Sequence, residues 1–182
     1  MRWKALFDDL EAQAEAAERA ELDAEVRDRT RREGGLLRTA DRCRAAIGGL
    51  VVLTVHGPGV VRGRLLDAGA DWLLLEEPAG HDALVPLAAV LAVGGLTRRA
   101  EPAEGELAAR LDLRWALRGL TRDRAVLQVV LRDGTALAGT LDRVAADYVD
   151  LAEHPQGELR RAGAVSGVRL LPLTAIGLLR SV

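Results

Sequence analysis

Two aspartates in this chain are each followed by an aromatic residue, and such pairs could bind a ligand or a partner. Asp71 precedes Trp72, and Asp147 precedes Tyr148. A carboxylate accepts hydrogen bonds, and an aromatic ring stacks on a nucleic-acid base or covers an apolar partner. We therefore take these four residues, together with the neighbouring Leu74, as a candidate surface for a partner or ligand.

The same residues also have a structural interpretation. A turn aspartate that precedes a strand caps backbone N–H groups, and we favour this role for Asp71 and Asp147. Trp72 and Leu74 share the outward side of a predicted strand whose other side faces the core. This apolar pair favours a packed contact with the helices or with another part of the chain, and a ligand role is the alternative.

Arginine side chains are the second group that could do chemistry, because they bind phosphate. Two of them point outward from one predicted strand, two lie in a predicted loop, and one lies near the end of the sequence. The candidate nucleic-acid contacts are Arg62, Arg64, Arg160, Arg161 and Arg180. Against this role, the 182 residues carry a formal net charge of −2, whereas non-specific nucleic-acid binding usually needs a basic excess.

The remaining reactive side chains form no catalytic pattern. His56, His81 and His154 lie in predicted turns with no partner at metal-ligand spacing, and the single cysteine, Cys43, lies on an apolar helix face. P-loop, nucleophile-elbow and zinc-protease motifs are absent from the sequence. We therefore predict no enzyme activity, no cofactor and no metal. A single cysteine, a start without signal-peptide character and no membrane-spanning apolar run predict a cytoplasmic protein.

The elements that position these residues are present twice. Residues 51–77 align without a gap with residues 127–153, which indicates an internal duplication at an offset of 76 residues. Residues 84–96 match 170–182, so the second copy holds an insertion at about 157–166. The identical pairs include Gly63/Gly139, Leu65/Leu141, Ala70/Ala146, Asp71/Asp147, Leu75/Leu151 and Glu77/Glu153.

Each copy is predicted to contain a short helix followed by five short strands. Apolar residues alternate along the strands, and Gly63 and Gly139 lie inside the second strand of each copy, where a glycine often marks a sharp bend. The predicted domains are an N-terminal helical arm at 1–35, a first repeat with its leading helix at 36–98, a linker at 99–106, and a second repeat with its leading helix at 107–182.

The N-terminal arm is predicted to be a long α-helix over residues 3–33, which contain no proline or glycine. Its bulky residues follow a coiled-coil-like spacing over about two heptads. The helix either lies across the rest of the protein or in solvent, or it pairs with another copy or a partner, and the sequence leaves both open. The residues of this stripe are Trp3, Phe7, Leu10, Ala14 and Ala17.

This organisation resembles the Sm/LSm small β-barrel family, to which Hfq belongs. The resemblance lies in the turn Leu131-Arg132-Asp133-Gly134, in Gly139-x-Leu141 and in the strand at 147–151, with counterparts at Gly57, Gly63-x-Leu65 and 71–75. It implies an α+β, mainly β fold with two SH3-like or Sm-like five-stranded small barrels in tandem, each preceded by a helix, plus the long N-terminal α-helix. The whole chain also resembles a group of proteins from high-GC bacteria.

The resemblance also bears on RNA binding. Where the family has an Asp, this chain has Gly69 and Ala145, and where the family has an Asn, it has Leu73 and Val149. Of the Arg-Gly position, only Arg180 matches. The resemblance therefore implies the fold more strongly than the ligand.

The sequence predicts a non-enzymatic interaction, scaffold or regulatory protein that acts through barrel-edge and helix contacts. The alternative is an RNA-binding post-transcriptional or transcriptional regulator of Sm or Hfq type. We expect a protein partner or self-association, with no membrane and no small-molecule substrate. The resemblance implies barrels that join through their last strands, so that either the tandem pairs one edge internally or three chains close a six-barrel ring. The last strand, which reaches Val182, is expected to offer a free edge.

Overall fold

The computed structural model describes residues 34–102, 111–155 and 165–182, together with Arg19, Leu22 and Glu25. Arg38–Val182 form one compact unit, which holds every strand described below. Met1–Leu37 form a separate unit, of which three isolated residues and 34–37 are described.

In its described residues, each half of the compact unit contains a short helix, five strands and a 3-10 turn. The first half consists of α1 (Thr39–Arg44), β1 (Leu50–Val55), β2 (Gly59–Ala68), β3 (Trp72–Glu76), β4 (Asp82–Pro86), a 3-10 turn (Leu87–Ala89) and β5 (Val90–Gly94). The second half consists of α2 (Leu113–Arg122), β6 (Val126–Leu131), β7 (Ala136–Val144), β8 (Tyr148–Glu153), β9 (Gly167–Pro172), a 3-10 turn (Leu173–Ala175) and β10 (Ile176–Ser181). The order of the elements repeats, as the internal duplication predicts.

The ten strands form one antiparallel sheet in the order β5-β1-β2-β3-β4-β10-β6-β7-β8-β9. β4 of the first half pairs with β10 of the second, Leu84 opposite Leu179 and Ala83 opposite Arg180. The prediction of two five-stranded Sm-like barrels is therefore wrong, because the halves share a single open sheet. Side-chain alternation shows which residues face a core, but the backbone pairing that joins the halves leaves no mark on that alternation.

The last strand lies inside the sheet. β10 pairs with β6 on one side and with β4 on the other. The expectation that it offers a free edge is wrong, whereas the alternative in which the tandem pairs one edge internally agrees with this topology. Among the residues that the structure describes, the strands with one free edge are β5, which pairs with β1, and β9, which pairs with β8.

Two hydrophobic clusters form the core. Near the junction between β4 and β10, each cluster also contains side chains from the other half. Leu178 of β10 packs in the first cluster, which is otherwise built from the first half. Trp72 of β3 and Leu84 of β4 pack in the second cluster with residues of α2 and β6–β10. Separating the halves would expose both cores, so we expect Arg38–Val182 to unfold as a single cooperative unit.

The predicted hairpin turns are confirmed. Gly57 and Gly134 both have positive φ angles, at 89° and 90°, in the turns that follow β1 and β6. In the second turn, the carboxylate of Asp133 accepts a hydrogen bond from the N–H of Thr135 at 2.8 Å. These are positions where glycine is favoured because side chains rarely adopt this backbone conformation.

The predicted long, coiled-coil-like N-terminal helix is not upheld. Apart from Arg19, Leu22 and Glu25, residues 3–33 lie outside those that the structure describes. The helices with described bounds are short, α1 with six residues and α2 with ten, and each directly precedes the first strand of its half. Helical propensity and a short stretch of heptad spacing suggested the long helix, and propensity is a weak guide without packing. Most of the predicted insertion at 157–166 also lies outside the described residues.

Candidate functional site

The junction between the halves uses the arginine that best matched the RNA-binding pattern. Arg180 of β10 donates from Nη2 to Glu77 Oε1 and from Nη1 to Gln128 Oε1, both at 3.0 Å. Its Nε donates to the second oxygen of Glu77, so that guanidinium and carboxylate form a two-pronged ion pair. Arg180 therefore links Glu77, which follows β3, to Gln128 of β6 across the junction. The carboxylate of Glu77 already neutralises the charge of Arg180.

An open cavity of about 490 Å³ lies beside this ion pair, and its lining includes Glu77, His81, Gln128 and Arg180. Arg180 donates hydrogen bonds to both Glu77 and Gln128. A ligand would have to replace those bonds, so the cavity is a weak candidate for a binding site.

Asp71 holds the start of α2 against the first half. Its Oδ1 accepts a hydrogen bond from the N–H of Leu113 at 2.6 Å, and Asp112 accepts one from the N–H of Trp115 at 2.9 Å. The first N–H groups of a helix lack partners within the helix, so both carboxylates supply an acceptor that the helix needs. Asp71 therefore caps a backbone N–H group, as the sequence favoured, but that group belongs to a helix of the other half, whereas the sequence predicted a cap within the turn before β3.

The two carboxylates at this helix start differ in acidity. Burial raises the pKa of Asp71 above its ordinary value, and Asp112 adds to this effect, while the N–H of Leu113 opposes it. Burial also disfavours ionisation of Asp112, but its hydrogen bonds with Arg114 and Trp115 outweigh burial and lower its pKa. A raised carboxyl pKa means that the folded state binds the proton more tightly than the unfolded chain, so this group's contribution falls as pH rises through the pKa.

We predict that Asp71→Asn leaves the free energy of unfolding at pH 7 within about 0.5 kcal/mol of the native value, whereas Asp71→Ala lowers it by about 1 kcal/mol. The asparagine oxygen still accepts from Leu113 and carries no charge that burial penalises. Urea unfolding of both variants at pH 7 and at pH 4 measures this. The difference between the Asp71→Asn variant and the native chain should shift in favour of the native chain at the lower pH. Equal losses for the two variants would contradict the capping role.

Trp72 is a contact between the halves. The side chain is 3% exposed, and its Nε1 donates to the carbonyl oxygen of Leu111 at 2.9 Å. Its ring stacks on Trp115 of α2, with the centroids 6.5 Å apart and the planes 16° from parallel. Leu74 packs, half-buried, against the same second cluster. The Trp72 and Leu74 surface is therefore packed against the second half of the chain, as the packed-contact interpretation expects.

The counterparts of these residues in the second half lie at the surface. The backbone oxygen of Asp147 accepts from the N–H of Leu173 at 2.8 Å, as that of Asp71 does from Leu87. Asp147 is exposed, as Asp71 is, and Tyr148 is partly exposed, whereas Trp72 is buried. The duplicated Asp–aromatic pair therefore has a buried ring in the first copy and a partly exposed ring in the second, and only the second copy remains a candidate surface.

The candidate arginines do not form one patch among the described residues. Arg62 and Arg64 are exposed on β2, and Arg64 donates to the carbonyl oxygen of Gly48 at 3.3 Å. Arg180 lies in the ion pair at the junction. Arg160 and Arg161 fall outside the residues that the structure describes. Of the candidate arginines that the structure describes, Arg62 and Arg64 on β2 are the pair that a phosphate backbone would meet exposed.

His154, His56 and Cys43 serve structural contacts. The buried His154 bonds Thr140 Oγ1 through Nε2 at 2.8 Å, and His56 Nδ1 lies 2.6 Å from the carbonyl oxygen of Arg132. Burial raises the pKa of the Cys43 thiol, which the adjacent arginines only partly offset, so it is a poor nucleophile. Within the described part of the chain, no group of His, Cys, Asp and Glu side chains could hold a metal ion.

The two free edges of the sheet carry large exposed apolar side chains that sequence reasoning missed. Leu91 on β5 is 65% exposed, and Val168 and Leu170 on β9 are 62% and 55% exposed. An edge strand presents unpaired N–H and C=O groups to any strand that can align with it. The available signal was the position of these residues in the repeat: Leu170 is the counterpart of Leu84, which is buried at the junction.

No protein-family model matches this chain, and no curated protein matches it. Among the residues described, no helix is both long enough and apolar enough to cross a membrane.

Proposed function

We propose that this chain is a non-enzymatic interaction protein that binds protein partners by strand addition at the two free edges of its sheet. The observation that carries the proposal is the exposure of Leu91, Val168 and Leu170 on the two edge strands. Strand addition combines backbone hydrogen bonds with pockets for alternate side chains. Proteins that do not use their edges usually protect them with charged residues, prolines or bulges. Here β9 ends at Pro172 and the β1–β5 pairing contains a register shift, but the leucines and the valine of these strands remain exposed.

The chain already contains one strand addition of this kind. At the junction, β10 adds to the edge of β4, and Leu84 and Leu179 are buried there. The same half-sheet that accepts a strand at β4 is present again in the second half, where the equivalent strand is β9. This equivalence supports the proposal that the β9 edge can accept a strand from a partner.

RNA binding is the second candidate, and it has less support. Its strongest arginine, Arg180, is held by Glu77 and Gln128. The remaining described candidates are the exposed Arg62 and Arg64 on β2, a strand that is paired on both sides. Two arginines would neutralise few phosphates, and affinity for a nucleic-acid backbone grows with the number of phosphates neutralised.

Site-specific photo-crosslinking in cells that express the chain separates these candidates. A photoreactive amino acid is placed at Leu170 on the β9 edge and, as a matched control, at Val60 on β2, which is 53% exposed. Val60 lies on the interior strand that also carries Arg62. We expect protein adducts at position 170 in clear excess over position 60.

Each outcome of this experiment has a defined meaning. Protein adducts at position 60 equal to those at position 170 would reject strand addition at the edge. Nuclease-sensitive adducts at position 60 would favour RNA at the β2 arginines. Repeating the measurement with the photoreactive residue at Leu91 tests the β5 edge in the same way.

A further inference from the structure

We infer that a second copy of this chain adds its β9 to the free edge of β5, head to tail, in the register of the internal junction. This inference rests on the proposed strand addition and names its partner. The internal duplication makes β10 the counterpart of β5, and β4 the counterpart of β9. The pair β4–β10 is therefore a template for β9–β5 between two chains. An offset of 86 residues converts Leu84 opposite Leu179 into Leu170 opposite Val93.

One face of the predicted contact is apolar on both sides. At the junction, Leu84 and Leu179 are 5% and 1% exposed. Their counterparts are Leu170, which is exposed, and Val93, which is half-buried against the first cluster. Pairing two chains would cover Leu170 as the junction covers Leu84, and this burial of apolar surface favours association.

The other face shows a compensating exchange of size. At the junction, the large Arg180 lies opposite the small Ala83. The counterparts are reversed, with Gly94 on β5 opposite Arg169 on β9. A Cβ atom added to Gly94 would lie 3.6 Å and 3.7 Å from its nearest neighbours, so the packing of the first half does not itself require a glycine at this position. The missing side chain leaves space for the Arg169 of a neighbouring chain.

Charge is compensated at the same position. Glu77 and Glu153 are an identical pair in the duplication, and each needs a cation. Glu77 receives its arginine from β10, whereas Glu153 is paired with Arg169 of β9, whose Nη2 lies 3.3 Å from Glu153 Oε2. The β9 edge therefore needs no arginine from an incoming β5, and β5 provides none, because Gly94 stands where β10 has Arg180. A second copy fits this edge in both volume and charge.

Asp147 and the partly exposed Tyr148 extend the same match. Their counterparts Asp71 and Trp72 contact the helix start of the half that β10 belongs to. A chain that supplies β5 to β9 would bring its own first half to the corresponding place beside Asp147 and Tyr148. The contact is heterologous, so it produces a ring if the rotation between chains closes and an open chain if it does not.

Light scattering after size exclusion, combined with cysteine crosslinking, tests the inference. We expect a mass that rises above the 19.5 kDa of one chain with increasing protein concentration. Leu170→Lys should weaken association by about tenfold or more, because it places a charge where an apolar side chain becomes buried. Val60→Lys is the matched control, since the counterpart of Val60, Ala136, stays exposed although its half forms the internal junction.

The crosslink tests the register. Val93→Cys combined with Leu170→Cys should form disulfides between chains under mild oxidation, because the two Cα atoms lie opposite each other. Val93→Cys combined with Val168→Cys should not, because diagonal neighbours about 7–8 Å apart exceed the usual disulfide range. Native Cys43 is buried and does not compete.

Two results would overturn the inference: a monodisperse single chain at every concentration, or an assembly that crosslinks equally in both cysteine pairs. If the purified chain is monomeric while position 170 crosslinks to a different protein in cells, strand addition stands and the second copy is rejected. If position 170 yields no excess of protein adducts and the chain is monomeric, both proposals fail.

Discussion

Trp72→Ala is expected to lower the free energy of unfolding by about 3–5 kcal/mol. The indole is buried in the second cluster although its strand belongs to the first half, so its loss leaves a cavity at the contact between the halves. The substitution also removes the donor to the carbonyl oxygen of Leu111 and the stacking partner of Trp115. Urea unfolding followed by far-UV circular dichroism measures the change without relying on tryptophan fluorescence.

Two further variants separate the contributions of Trp72. Trp115→Ala removes the same stacking contact from a ring that is 52% exposed, and should cost about 1 kcal/mol. Trp72→Phe keeps most of the apolar volume and loses the N–H donor, and should fall between the other two. A loss for Trp72→Ala no larger than that for Trp115→Ala would show that the ring does not join the halves. Two separate unfolding transitions would contradict the expected single cooperative unit.

The repeat was the part of the fold that could be predicted from the sequence. Alternation in 51–55 and 127–131 located β1 and β6, and the turn residues Gly57 and Gly134 located the hairpins. These signals are local, since a turn conformation and a buried strand face each need particular residue types. Each half has a short helix ahead of its first strand, as predicted, but the helix ends could not be predicted, because helical propensity does not show where the packing that stabilises a helix ends.

The junction could not be predicted, because its determinants are far apart in sequence and mostly backbone. Glu77 and Arg180 are separated by 103 positions, and no spacing rule connects them. The identical pair Glu77/Glu153 was visible, but each carboxylate takes its arginine from a different strand. The identity of Glu77 and Glu153 indicated that both carboxylates are paired in the fold, but it did not reveal which arginine pairs with each.

The candidate surface, like the fold, could be predicted from the sequence only in part. Residue type predicted a backbone-capping carboxylate at Asp71 and a covered ring at Trp72, but not that Asp71 caps the helix of the other half. Trp72 is buried whereas its counterpart Tyr148 is partly exposed, and the order of strands in the sheet decides which ring is covered. A repeat whose two copies have different neighbours therefore has one used surface and one free surface, and the free one is where we place the partner.

Gly139→Ala is expected to destabilise the protein by about 3 kcal/mol, at the upper end of what overpacking usually costs. A Cβ atom on Gly139 would overlap the carbonyl oxygen of Ala152 and lie 2.9 Å from its carbonyl carbon. Both atoms belong to the backbone of β8, which pairs with β7 at this point, so no side-chain rotation can make room. Gly63→Ala should behave alike, because its Cβ would meet the backbone oxygen of Glu76.

Gly119→Ala is the matched control for this prediction, and it should change stability in the opposite direction. Gly119 lies inside α2, and a Cβ atom there would have no neighbour within 4 Å. Alanine should therefore stabilise the helix by about 0.5–1 kcal/mol. Urea unfolding of the three variants gives the comparison. A Gly139→Ala chain as stable as the native one would show that β7 and β8 can separate at this bend, and the close approach that requires glycine in both halves would be disproved.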